Sequence, residues 1–272
     1  MQHPLLTQDH VETFKADGVV LIKGLFKNQV DLLRAGVDRN MADPGPYAAE
    51  NLTKTEEGRF FDDYCNWNRI DEFQDAIKQS PAAQVAAELM QSQTVQMFHD
   101  HVLVKEPGTS KSTPWHQDAP YYFVEGRQNV SFWVPLDSVR AASLRCVAGS
   151  HKWPKPVLPT RWLAQTSFYP NADDYMPVPD PDKDGMDIKE WDMEPGDAVA
   201  FHFMTLHGAR GNESDERRRA FSLRLLGDDA RYVTRPGPTS PPFPGHNMLA
   251  GQKLRKDWFP MLLDTSASAR PT

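Results

Sequence analysis

From Thr94 onward the chain stops reading as helix and becomes a series of short extended runs separated by proline and glycine turns. Segments 95–104, 129–136, 144–147, 188–193, 198–204 and 220–226 have strand composition, and Pro107-Gly108-Thr109 and Pro195-Gly196-Asp197 supply turns. In 129–136 the alternation is explicit. Asn129, Ser131 and Trp133 share one face, while Val130, Phe132 and Val134 share the other. Upstream the periodicity is helical. Thr7 caps a helix through Phe14 that stops at Asp17-Gly18, 19–22 is a buried strand, and Asn28 caps a second helix with Val30, Leu32, Leu33 and Val37 on its apolar side. Segment 40–58 reads as loop, and 59–67 is aromatic-rich and ambiguous. Two more helices follow, one over 71–78 and one opened by Ser80-Pro81. Helices followed by many short strands predict an α+β chain, mainly β. Its second part is a jelly roll, a cupin-like barrel with the N-terminal helices packed on one sheet. We expect one domain over residues 1–272: a helical part to about 93, a core over 94–235, and C-terminal loops over 236–272. The Pro- and Asp-rich stretch 153–185 reads as a long insertion placed to act as a lid.

Charge narrows the partners. The net charge of −7 argues against nucleic acid or an anionic membrane surface. No apolar stretch approaches membrane-spanning length, and the N-terminus lacks a charged segment followed by an apolar run. Cys65 and Cys146 match no metal-binding spacing and are expected as thiols in a reducing compartment. The expectation is a cytoplasmic enzyme or binding protein, monomeric or homodimeric, acting on a small molecule.

Within the extended half, Trp115-His116-Gln117-Asp118 places an imidazole and a carboxylate two positions apart. On extended backbone both point the same way and can share one metal ion. Two histidines and one carboxylate on one face of a metal, with the other face open, are the ligand set of non-haem Fe(II) oxygenases. The third ligand is His207 or His202. A regular strand would put these two on opposite faces, and His207, followed by Gly208 at a strand end, is favoured. His99 and His101 form a second cluster, but Asp100 between them points away. His3, His10 and His246 read as solvated or structural, and His151 as a turn residue. In Arg217-Arg218-Arg219, alternation groups Arg218 with Ala220 and Ser222, whose small side chains leave room for a carboxylate beside the guanidinium.

His101 through Lys105, Trp115 through Asp118, Asn129 through Trp133, Gly149-Ser150-His151, Pro195-Gly196-Asp197 and His207-Gly208 occur in an order and spacing that resembles the phytanoyl-CoA dioxygenase family. The resemblance runs over roughly residues 10–235. It implies a double-stranded β-helix that uses Fe(II), 2-oxoglutarate and O2. It further implies His116, Asp118 and His207 as iron ligands and Arg218 as the anchor of the distal carboxylate of 2-oxoglutarate. Trp133, Lys105 and His101 would stand beside that cosubstrate. Ala209 departs from the serine often found at its position. The carboxylate at 118 implies hydroxylation of an aliphatic carbon, with release of succinate and CO2, rather than halogenation. Phe98, Tyr121 and Tyr122 are candidates for the substrate pocket or for core packing. The alternatives are a non-catalytic cupin-like sensor for 2-oxoglutarate or a similar acid, and a Mn or Zn enzyme on the same ligands.

Overall fold

The computed structural model describes residues 2–52, 57–140, 143–164, 166–170 and 173–266. Helix α1 (Gln8–Asp17) begins at Thr7, whose hydroxyl accepts from His10 N while the His10 ring accepts from Thr7 N. This reciprocal cap satisfies two otherwise orphaned donors. The helix stops at Gly18, which has φ +72°, and a Cβ there would lie 2.3 Å from the His151 ring. Both the left-handed backbone and the close approach require glycine.

Strand β1 (Val19–Ile22) leads to helix α2 (Val30–Ala42). Asn28 does not cap it. A 3₁₀ turn, Lys27–Gln29, contains Asn28 and leaves Gln29 at the cap position with no side-chain bond. The turn is set instead by Phe26, fully buried, whose N–H donates to Gly196 O at 2.8 Å. The segment expected as loop carries strand β2 (Ala49–Glu50), and the ambiguous aromatic stretch is strand β3 (Phe60–Tyr64). Helices α3 (Asp71–Gln79) and α4 (Ala82–Met90) follow as expected.

The remaining strands are β4 (Thr94–Lys105), β5 (Thr113–His116), β6 (Val124–Glu125), β7 (Asn129–Pro135), β8 (Leu144–Val147) and β9 (Ile188–Lys189). They continue with β10 (Ala198–Phe201), β11 (His207–Ala209), β12 (Arg218–Leu226), β13 (Arg231–Tyr232) and β14 (Met261–Asp264). The larger sheet runs β1-β10-β7-β12-β4-β3-β2, with β14 also on β4, and the smaller runs β5-β11-β8-β9. All these pairings are antiparallel.

Two expected strands are shorter than their composition. The 188–193 run pairs only at Ile188–Lys189, with a lone bridge from Met193 to Val139. The 198–204 run ends at Phe201, because Thr205 N donates to His202 O at 2.8 Å and turns the chain. The C-terminal segment is not loop alone, since β14 extends the large sheet.

The large sheet has two unlike faces. Val102, Val104, Phe132, Val134, Phe221, Leu223 and Leu225 are buried in one cluster with Leu33, Val37, Phe73, Ile77 and Leu89 of the helices. On the other face Trp133, Val199, Phe201 and Ala220 pack with Leu144 and Cys146 of the smaller sheet. The sheets therefore face one another across a shared interior, as a jelly roll requires. Cys65 and Cys146 are free thiols. Among the described residues no helix is long and apolar enough to cross a membrane.

Candidate metal centre

The His-x-Asp segment does not lie on one continuous strand. β5 ends at His116, and Asp118 has helical backbone angles (φ −71°, ψ −44°) at the start of a 3₁₀ turn. The turn, rather than strand alternation, brings the carboxylate round to the imidazole. β11 pairs with β5 so that His207 sits opposite His116. One ligand atom from each of His116, Asp118 and His207 lies within 4.8 Å of the others. Asp118 Oδ1 is 3.6 Å from His116 Nε2 and 3.8 Å from His207 Nε2.

Both imidazoles are oriented from behind. His116 Nδ1 faces Pro114 O at 2.8 Å, and His207 Nδ1 faces Thr205 O at 2.9 Å. A carbonyl only accepts, so each Nδ1 carries the proton and each Nε2 turns a lone pair toward Asp118. Two neutral imidazoles and a carboxylate fit a divalent first-row metal, and the triad lines a cavity of about 360 Å³. His202 has no nitrogen to spare. Its Nδ1 accepts from Met204 N at 3.0 Å and its Nε2 meets Arg127 O at 3.1 Å.

The charges around the triad hold it ready for a cation. Burial alone would raise the Asp118 carboxyl. The Arg224 charge opposes it, and the group stays well below the usual carboxylate range. Burial, followed by the nearby His116, pushes His207 down to about 3. Arg224 Nη2 stands 3.5 Å from Asp118 Oδ2, and Ser131 Oγ donates to the same oxygen at 3.3 Å.

Arg218 opens β12 and faces the cavity with Ser222, while Arg217 and Arg219 turn outward to Glu106 and Asp137. It is 4% exposed, and burial lowers its guanidinium to about 10. Lys105 pairs with it across the strands, but its ammonium is tied to Lys111 O at 2.7 Å and Arg210 O at 3.1 Å, over the Phe60 ring. Burial, then the Arg218 charge, pushes Lys105 down to about 6. His101 lines the cavity and is held by Asp62, 2.8 Å from its Nε2; Asp62 in turn accepts from Asn51. Trp133, Tyr121 and Tyr122 also line the cavity. Phe98 packs behind Tyr122 at 5.1 Å, among Phe123, Phe203 and Phe259. Asp100 points away, as its parity requires, and accepts from Asn66 N and Trp67 N.

Several lining residues were not anticipated. Arg224 shares parity with Arg218 and Ser222, so extending the same alternation would have found it. Tyr64 and Trp162 carry no such signal. Trp162 meets His116 edge-on at 5.1 Å, and the Tyr121 hydroxyl bonds both Thr160 O and Thr160 N at 2.8 Å. Thr160 and Trp162 of the insertion therefore lie beside the triad.

The chain resembles characterised proteins at several levels. It is 28% identical over 148 residues to the peroxisomal phytanoyl-CoA dioxygenase of Rattus norvegicus, a stretch covering 52% of this chain and 42% of that protein. It is 31% identical over 149 residues to a probable phytanoyl-CoA dioxygenase of Caenorhabditis elegans, covering 52% and 46%. The chain thus spans less than half the length of the curated relatives it matches. Among solved structures, the non-heme alpha ketoglutarate dependent carbocyclase SnoK from nogalamycin biosynthesis superposes with TM-score 0.73 at 22% identity, covering 94% of this chain and 96% of that one. The epimerase SnoN, whose structure has been solved in complex with Fe3+, alpha ketoglutarate and nogalamycin RO, superposes with TM-score 0.74 at 21% identity, covering 94% and 98%. These two share the fold. The family model for phytanoyl-CoA dioxygenase matches residues 14–220, and on that extent the chain belongs to the phytanoyl-CoA dioxygenase family.

Proposed function

We propose that this chain is an Fe(II)- and 2-oxoglutarate-dependent dioxygenase that hydroxylates an aliphatic carbon of a small organic substrate. The observation that carries the reading is the His116–Asp118–His207 triad, facing a cavity that also holds Arg218. When bound, a ferrous ion with 2-oxoglutarate and O2 supplies the oxidising power to break an unactivated C–H bond, releasing succinate and CO2.

The chain's own residues have separable tasks. Pro114 O and Thr205 O fix the two imidazoles, so the ligand set is organised before a metal arrives. Ser131 and Arg224 hold the second Asp118 oxygen, which leaves the first for the ion. Arg218 offers a buried, planar, permanently charged fork suited to the distal carboxylate of 2-oxoglutarate. Trp133 and His101 wall the space beside it. Lys105 supports that floor through backbone carbonyls. Tyr121, Trp162 and Phe168 cover the triad and keep bulk water from it.

The names of SnoK and SnoN, a carbocyclase and an epimerase, support the oxygenase class while leaving the outcome of C–H cleavage to be measured. Anaerobic reconstitution followed by 18O2 tests both levels. The expected result is iron- and 2-oxoglutarate-dependent succinate, with one 18O in succinate and one in the product. Product without label would remove hydroxylation and keep the class. No succinate with any substrate would favour the sensor alternative. Placement in the cytoplasm is part of the proposal; the rat and Bos taurus relatives are named peroxisomal.

A further inference from the structure

Two polar atoms in the cavity wall, Arg224 Nη1 and His99 Nε2, are not used by the metal and cosubstrate roles. Arg224 is 5% exposed and lines the cavity. Its Nε donates to the Tyr122 hydroxyl at 3.0 Å. Its Nη2 is 3.5 Å from Asp118 Oδ2, longer than the roughly 2.7–2.9 Å of a charge-assisted hydrogen bond. Its Nη1 has no hydrogen-bond partner among the described residues.

His99 is the cross-strand partner of Arg224 and lines the same cavity. Its Nδ1 faces Asp100 O at 3.1 Å, so Nδ1 carries the proton and Nε2 a lone pair. Nε2 also lacks a partner among the described residues. Burial and the Arg224 charge keep the ring neutral. A buried donor and a buried acceptor without partners, on cross-strand neighbours, are costly and are satisfied by a ligand that supplies both complements.

We propose that Arg224 and His99 dock a hydroxyl group of the substrate, Nη1 donating to its oxygen and Nε2 accepting its proton. A carboxylate would suit Arg224 but would meet the His99 lone pair, and an ether would satisfy Arg224 alone. The outer wall selects the rest of the molecule. Tyr47 stacks on Tyr64 at 5.0 Å, and Tyr121, Trp162 and Phe168 complete an aromatic lining. Flat apolar skeletons pack well on such surfaces. The substrate class is therefore a hydroxylated ring compound, a phenol or an alicyclic alcohol. This deepens the oxygenase reading and rests on it for what happens to the docked molecule.

The test uses wild-type protein loaded with Mn(II) and 2-oxoglutarate under argon, titrated calorimetrically with 2-naphthol, 2-methoxynaphthalene and 2-naphthoate. The naphthol is expected to bind roughly tenfold or more tighter than the other two. Arg224→Met and His99→Phe should each reduce naphthol to the affinity of its methyl ether. For His99→Phe, affinity for 2-oxoglutarate should stay within about twofold, since His99 is assigned to neither the metal nor the cosubstrate. His99→Phe leaves the Asp118–Arg224 pair in place, so it reports even if Arg224→Met folds poorly. Equal binding of naphthol and ether by the wild type, tightest binding of naphthoate, or no binding of any of the three would overturn the proposal. Failure of the wild type to bind 2-oxoglutarate would instead sink the cosubstrate reading, and the naphthol preference would still be measurable on metal-free protein.

Discussion

The two faces of the large sheet are built from alternate residues of the same strands, yet they obey opposite rules. On β12, Phe221, Leu223 and Leu225 join the helices in an apolar cluster, while Arg218, Ser222 and Arg224 face the cavity. β4 and β7 repeat the division, with Val102 and Phe132 on one side and His101 and Trp133 on the other. The helix side gains free energy from every buried methylene. The cavity side keeps groups that burial disfavours: Lys105 pushed down to about 6, Arg218 to about 10, and a Ser222 hydroxyl with no partner among the described residues. One side supplies the stability that lets the other hold desolvated polar groups in fixed positions.

Substitutions on either side of one backbone can break this contrast. Phe221→Ala should lower unfolding free energy by about 3–5 kcal/mol, because its fully buried ring packs on Phe73 at 4.9 Å. Metal affinity per folded molecule should stay unchanged, and urea melts with metal titrations measure both. Arg218→Ala should raise the 2-oxoglutarate concentration needed for half-maximal turnover roughly 10- to 100-fold. Arg217→Ala should not, and an equal effect of the two would place the anchor on the wrong face.

The pH dependence of the metal-free protein sharpens the same distinction. His207 is held at about 3 and His202 at about 4 in the fold, below the unfolded value near 6.5. The unfolded chain therefore takes up protons first. Stability is full above pH of about 6.5 and is lost progressively as pH falls toward 3–4. A melting temperature flat from pH of about 6.5 to 4 would contradict these environments. The smallest effect belongs to Ser222→Ala. Removing an unpartnered buried hydroxyl should change stability by less than about 0.5 kcal/mol or raise it slightly, one position from the largest loss.

Local rules carried much of this into the sequence. Period-two alternation put Val130, Phe132 and Val134 in the core opposite Trp133, and it chose Arg218 over its neighbours as the inward arginine. The Thr7 cap and the Gly18 stop are chemistry of adjacent residues and were equally readable. Asp118 reached the triad by a turn that its neighbours do not announce, so the right pairing was expected for the wrong backbone reason. Tyr64, Trp162 and Asp62 come from β3 and the 153–185 insertion, where position depends on tertiary packing that no period encodes. Asn28 had the right side chain for a cap, but burying Phe26 set the turn instead.

Within the smaller sheet, β5 is an edge strand, and among the described residues it pairs with β11 alone. Its His116 and the facing His207 are both ligands of the candidate centre. An ion held between them would act as a rivet through the sheet's margin, adding a cross-link where the backbone ladder ends. Metal occupancy and the closure of that margin then become one linked equilibrium. Amide exchange at Thr113, Trp115 and His116 would report loading as directly as any assay of turnover, and chelation would be felt first as fraying of the rim rather than as collapse of the helices.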